Sequence, residues 1–282
     1  MMRPLAAVSQ ELKSGANSMP GATELSVPEA YTLMSFPKID VRKALKLGFM
    51  GLLAQGVLQL ETEDKTGLFR TRHIPHLKVA DRVPETLPPI AASLVKIVRA
   101  AEPNGLMKDI VRRSLREYGN ALFGFVRDYV GPALAARGLA ERRRVRLLGV
   151  IPSYRYERTP AGDEEKARIE TAIQEARTIP QYLDRDPAQV AALVVAAGSA
   201  ILLIEELRPF SDQLSRAMRG QDGGSYMFTD GGFGDGGGGF ANYDFGGIDF
   251  RCFDGGAFDS FDAGFDAGGG DGGGGDGGSS SC

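Results

Sequence analysis

Two histidines and a dense set of arginines are the residues whose types and spacing could do chemistry. His73 and His76 form an H-x-x-H pair around Pro75. A zinc site takes three or four ligands, and the sequence marks no third, so the pair reads as exposed or structural and no metal is expected. The body contains no G-x-S-x-G, no P-loop and no G-x-G-x-x-G. The glycine runs near the C-terminus lack the strand and helix that frame a phosphate loop. Glu205-Glu206 reads as a solvated helix end. The chain is therefore expected to be a non-enzyme, with no catalytic residue and no cofactor.

The arginines point elsewhere. Lys108, Arg112 and Arg116 recur at i, i+4 and i+8 and make a basic stripe on one helix, with Arg113 at its edge. Arg142, Arg143, Arg144 and Arg146 crowd a short β-rich piece that continues into Leu147, Leu148, Val150 and Ile151. Cations in such density attract phosphate in a salt-dependent way. Four apolar residues so close together on a pleated strand cannot all face one core, because successive side chains point to opposite sides. They form a candidate membrane- or subunit-facing tip.

The elements that must position these residues follow from caps and periodicity. Ser26 precedes a short helix through Met34, and Asp40 caps a dense apolar helix from Val41 to Gln55, which Gly56 ends. The period then falls to two: Val57, Leu58 and Leu60 start a strand, Glu61 to Gly67 reads as a polar turn, and Leu68 to Arg72 returns. Pro75 to Pro89 reads as a connector. Helices over 90–101 and 106–118 come next. The stretch 123–177 repeats the earlier order: an apolar helix stopped at Arg137-Gly138, a hairpin turning at Pro152-Ser153, and a charged helix entered at Thr159-Pro160. LLAQGVLQLE beside ALAARGLAERRRVRLL has the look of a distant duplication, and helix followed by β-wing is the outline of a winged-helix module. After Asp186-Pro187, the run from Val190 to Ile204 is too short as a helix to cross a hydrocarbon core of ~30 Å and reads as a buried helix. The fold class expected is mainly α with short β-hairpins.

Composition divides the chain near Gly220. Of 36 acidic residues eleven lie beyond it, all Asp, against one of the 33 basic residues, Arg251. A tail of about −10 is thus attached to a body of about +7. Residues 1–24 are expected to be mobile, 25–220 to form the body, and 221–282, with 24 of the 38 glycines counted from Gly220 on, to be disordered. Nine Phe spaced along that tail could act as weak stickers. Both cysteines, Cys252 and Cys282, lie in the tail, so a disulfide framework is not expected and a reducing, cytoplasmic setting is. Met1 to Ala7 is too short for the apolar core of a secretory leader.

FVRDYVGPALAARGLAERRRVRLLGVIPSYRYERTPAGDEEKARIETAIQEA, followed by DPAQVAALVVAAGSAILL, resembles the second half of the Golgi phosphoprotein 3-like family. LLAQGVLQLE is similar to that family's early helix and strand. The resemblance spans about Leu25 to Leu207 and is strongest over 123–204. It implies a mostly helical, non-catalytic fold that binds phosphatidylinositol 4-phosphate at a shallow basic pocket, with an apolar hairpin beside it entering the bilayer or joining subunits. One pocket arginine would fall on Arg127 and its neighbour on Gly124. The early-helix arginine would fall near Leu45, with Lys46 as a substitute. The pocket tryptophan has no counterpart, since the chain has none. The expected function is a cytoplasmic, peripheral membrane adaptor using Arg127, Lys46, Lys108, Arg112 and Arg116 for an anionic lipid headgroup. Leu147, Leu148, Val150 and Ile151 would serve bilayer or homo-oligomer contact. Two rivals stand beside it: a tandem winged-helix module binding nucleic acid or protein, and an assembly protein acting through its low-complexity tail.

Overall fold

The computed structural model describes residues 25–66, 71–102, 105–147, 151–211 and 213–214; at the far ends of both hairpins it describes the backbone alone. The segments expected to be mobile or disordered, 1–24 and 221–282, lie outside the described residues. The first described helix, Val27–Ser35 (α1), starts at a reciprocal cap: the Glu29 carboxylate accepts from the Ser26 amide at 2.9 Å and from its hydroxyl at 2.5 Å. Asp40 accepts from the Lys43 amide and starts Val41–Ala54 (α2). Eleven of the fourteen α2 residues are buried, which makes it the helix the others pack around.

The same stop is used twice. At Gly56 (φ +67°) the glycine N–H donates to Leu53 O and the next amide, Val57, to Leu52 O. At Gly138 (φ +72°) the matching bonds run to Ala135 O and from Leu139 to Leu134 O. Each closes a helix with a left-handed residue and releases a hairpin, so the helix–Gly–hairpin order expected from the sequence is present in both places. The first hairpin pairs Leu58–Thr66 (β1) with Thr71–Val79 (β2), and the second pairs Ala140–Leu147 (β3) with Ile151–Arg158 (β4), both antiparallel.

Strand extents differ from the sequence reading. Glu61 to Thr66, expected as turn, is strand, and Pro75 belongs to β2. Across the ribbon Glu61 pairs with Lys78, and Glu63 lies 3.2 Å from His76, so residues that look like a polar loop are one charged face of a ladder. Pro152 and Ser153, expected as the second turn, lie in β4 opposite Arg146 and Val145. A two-stranded ribbon has an outer edge on each strand, where proline is tolerated. The connection falls instead at 148–150, outside the described residues.

Pro89–Ala101 (α3) and Met107–Tyr118 (α4) follow, tied by a buried 2.7 Å bond between Ser93 and Tyr118 hydroxyls. Phe123–Phe125, Val126–Val130 and Gly131–Ala136 run end to end as one helix with a π turn in its middle (together α5). Thr159 caps Pro160–Ala176 (α6), and Asp186 caps Pro187–Ala197 (α7). The apolar run after Asp186 does not stay helical: at Gly198 (φ +54°) it passes into the 3-10 segments Gly198–Leu203 and Glu205–Phe210. Leu33, Leu45, Phe49, Leu94, Ile110 and Phe125 fill the centre. The protein is mainly helical with two small antiparallel strand pairs, and among the described residues no helix is long and apolar enough to cross a membrane.

Candidate anion-binding surface

α5 and the second hairpin meet where a side chain is missing. A Cβ at Gly131 would lie 2.4 Å from the ring of Tyr156, so glycine there lets β4 seat its tyrosine flat on the helix. In the antiparallel register Arg142 faces Tyr156 and Arg144 faces Tyr154. Residues opposite one another share a face of the ribbon, so Arg142, Arg144, Tyr154 and Tyr156 lie on one side. Tyr156 anchors the base of that side. Further out, the Arg142 guanidinium sits 4.0 Å from the Tyr154 ring centroid, and Tyr154 is 49% exposed.

The other side of the ribbon neutralises itself. Arg143 lies opposite Arg155, and Glu141 opposite Glu157. Arg143 reaches Glu141 at 2.7 Å and Glu157 at 3.1 Å, and Arg155 bonds Glu157 at 2.6 Å. Two arginines and two glutamates cancel there, whereas the Tyr154 side carries Arg142 and Arg144 without a glutamate between them.

Arg127 stands on α5 beside that cationic side. It makes a bidentate bond to Asp128, 2.7 Å from both Nε and Nη2. The bond to Arg127 is the main force holding the Asp128 carboxyl below the usual carboxylate range, and the charge of Arg142 acts in the same direction. Asp128 therefore sits within the fields of both arginines, which joins the two elements into one group. Phe123, one turn ahead of Arg127, is 64% exposed.

The other expected site residues are distributed differently. Leu45 is fully buried, so its position belongs to the core. Lys46 contributes its charge near Glu205, which bonds Lys43 at 3.0 Å. Position 124 admits no side chain: a Cβ at Gly124 would lie 2.8 Å from Tyr118 O and 3.0 Å from Tyr118 Cα. Lys108, Arg112 and Arg116 are exposed along α4, with Arg112 bonded to Asp109 at 2.9 Å. Leu147 and Ile151 are backbone partners at the end of the ribbon; their side chains, and Leu148 and Val150 altogether, lie outside the described residues. His73 and His76 both belong to β2, and no cluster of metal-ligating residues occurs among the described residues.

Sequence reasoning singled out the basic hairpin but not Tyr154 or the division of its arginines between two faces. The signal was the R-x-R spacing of Arg142 and Arg144 with Tyr at 154 and 156 on the return. It becomes legible only once the register is known. No protein-family model matches the chain, and no curated protein matches it.

Proposed function

We propose that the protein is a non-catalytic adaptor that docks reversibly on anionic, phosphoinositide-like membrane through the Tyr154 face of the β3–β4 ribbon. The observation that carries this reading is the asymmetry of the ribbon: one face pairs its charges off, and the other presents Arg142 and Arg144 around an exposed tyrosine. Basic residues near an anionic leaflet contribute about 1 kcal/mol each, and tyrosine favours the level of the headgroups. Phe123 beside Arg127 adds a second exposed aromatic. A headgroup pocket built as the resemblance implies would draw on positions 45 and 124, which here are a core leucine and a glycine without room for a side chain. The hairpin arginines take over that role in this chain.

The order α3, α4, α5, β3, β4 also fits a winged-helix module, in which the helix ahead of the wing enters the major groove. Neither helix ahead of a ribbon favours that use. α2 is buried over most of its length, and α5 is interrupted by a π turn and offers Arg127 already bonded to Asp128. The reading is tested by co-sedimentation with phosphatidylcholine vesicles, plain or doped with phosphatidylinositol 4-phosphate or phosphatidylserine, beside duplex-DNA binding at two salt concentrations. The expected result is retention on anionic vesicles alone, weakening with salt. Tight DNA binding without vesicle binding would replace this reading with the winged-helix one.

A further inference from the structure

Four large apolar side chains stand exposed among the described residues: Leu60, Phe123, Tyr154 and Val195. Two of them stand beside cations. Phe123 precedes Arg127 by one turn of α5, and Tyr154 holds the Arg142 guanidinium over its ring with Arg144 opposite. Among the described residues Arg142 and Arg144 form no ion pair, and the carboxylate nearest this group, Asp128, is already held by Arg127. The other two stand among carboxylates. Leu60 is on the strand that carries Glu61 and Glu63, and Val195 lines a groove with Glu165 and Glu175. Exposed aromatic surface and unneutralised positive charge therefore coincide, among the described residues, on the Tyr154 face.

The chain itself contains a complement to that face. Phe253-Asp254, Phe258-Asp259, Phe261-Asp262 and Phe265-Asp266 repeat one dipeptide over 253–266, with no basic residue in the run. Each dipeptide joins a ring to a carboxylate. The ring can pack against tyrosine or take a guanidinium over its face, and the carboxylate can accept charge-assisted bonds from arginine. The run begins about 40 residues beyond Leu214, the last described residue. A Gly-rich chain of that length has an end-to-end distance of ~35 Å, comparable with the width of a domain of about 190 residues. Tethering at such a length sets an effective concentration in the millimolar range.

We infer that residues 253–266 dock on the Arg142–Arg144–Tyr154 face of their own chain, rings against Tyr154 and Phe123 and carboxylates on the two arginines. The contact stands without membrane docking; its regulatory consequence, that an anionic leaflet must displace the segment, rests on the proposed function. The test uses the full chain. Cys282→Ser leaves Cys252, next to Phe253, as the sole thiol, and Tyr154→Trp supplies the sole tryptophan. A nitroxide on Cys252 should quench that tryptophan about twofold relative to a diamagnetic analogue, as for a millimolar contact half formed at millimolar effective concentration. The quenching should fade at ~1 M salt, where screening acts within ~3 Å. It should also be lost when Phe253→Ala, Phe258→Ala, Phe261→Ala and Phe265→Ala are combined. Asp254→Asn, Asp259→Asn, Asp262→Asn and Asp266→Asn together should have the same effect. Val195→Trp in place of Tyr154→Trp should show no quenching. No quenching at position 154, equal quenching at 195, or quenching that survives either fourfold change would each overturn the inference. If Tyr154→Trp does not fold, Phe123→Trp reads the same face. Phosphatidylserine vesicles then separate the two readings. Quenching that vesicles do not relieve upholds the contact and overturns membrane docking there; absent quenching in a chain that sediments with the vesicles does the reverse.

Discussion

At the scale of single residues the cationic group is set by a competition. Arg127 can hold a headgroup phosphate only by sharing or leaving Asp128, whose carboxyl it holds below the usual carboxylate range. A lowered folded-state value means that the pair is intact above the ordinary carboxylate range and is lost as pH falls through that lowered value. At neutral pH Asp128 is charged and opposes an anionic surface. Asp128→Asn should therefore strengthen binding to phosphatidylserine vesicles about fivefold, from ~1 kcal/mol per unit charge near the surface; weaker binding by this variant would show that Arg127 needs Asp128 to be positioned. The opposite change is Arg142→Gln with Arg144→Gln. It should weaken vesicle binding by about thirtyfold on the same scale, with little change in melting temperature because both side chains are exposed. A large drop in stability instead would mean that these arginines hold the ribbon together.

At the scale of elements the two glycines around α5 do separable work. Gly138 closes the helix at φ +72° with open space around it, so Gly138→Ala meets backbone strain of ~1–2 kcal/mol and no clash. Gly131→Ala drives a methyl into Tyr156, costing ~1–3 kcal/mol and unseating the β3–β4 ribbon. Both should lower the thermal midpoint, but only Gly131→Ala should also weaken vesicle binding; equal binding by the two variants would mean that the seat on α5 does not matter. The caps at Asp40, Thr159 and Asp186 were legible in the sequence because each is a side chain accepting from the backbone amide three residues on, and the start at Ser26 because Glu29, three residues on, reaches back to its amide. The Gly56 and Gly138 stops were legible for the same local reason. Strand extents were not, because Glu61 and Pro152 look like loop residues until a partner strand supplies Lys78 or an open edge. The π turn in α5 and the break at Gly198 also escaped, since the apolar pattern continues through both. Of the candidate site, the basic hairpin was readable from composition; which arginines share a face was not, because that depends on register and on Tyr156 meeting Gly131.

At the scale of the whole molecule the chain opposes a body of about +7 to a C-terminal segment of about −10. Opposite charges on one chain compete with any external anion for the same cations. Deleting residues 221–282 should therefore lengthen retention on heparin at low salt, with the difference fading as salt rises; unchanged retention at low salt would rule out such self-shielding. The central claim is that the Tyr154 face of the β3–β4 ribbon is the surface that meets the membrane, and the absence of tryptophan from the chain allows it to be read at one position. In Tyr154→Trp the sole tryptophan stands beside Arg142, and its emission reports the polarity around that face. The account predicts a blue shift and gain in intensity on adding phosphatidylserine or phosphatidylinositol 4-phosphate vesicles, reversed by salt and absent with phosphatidylcholine alone. Emission that stays unchanged while the protein sediments with anionic vesicles would place the contact on another face and contradict the claim.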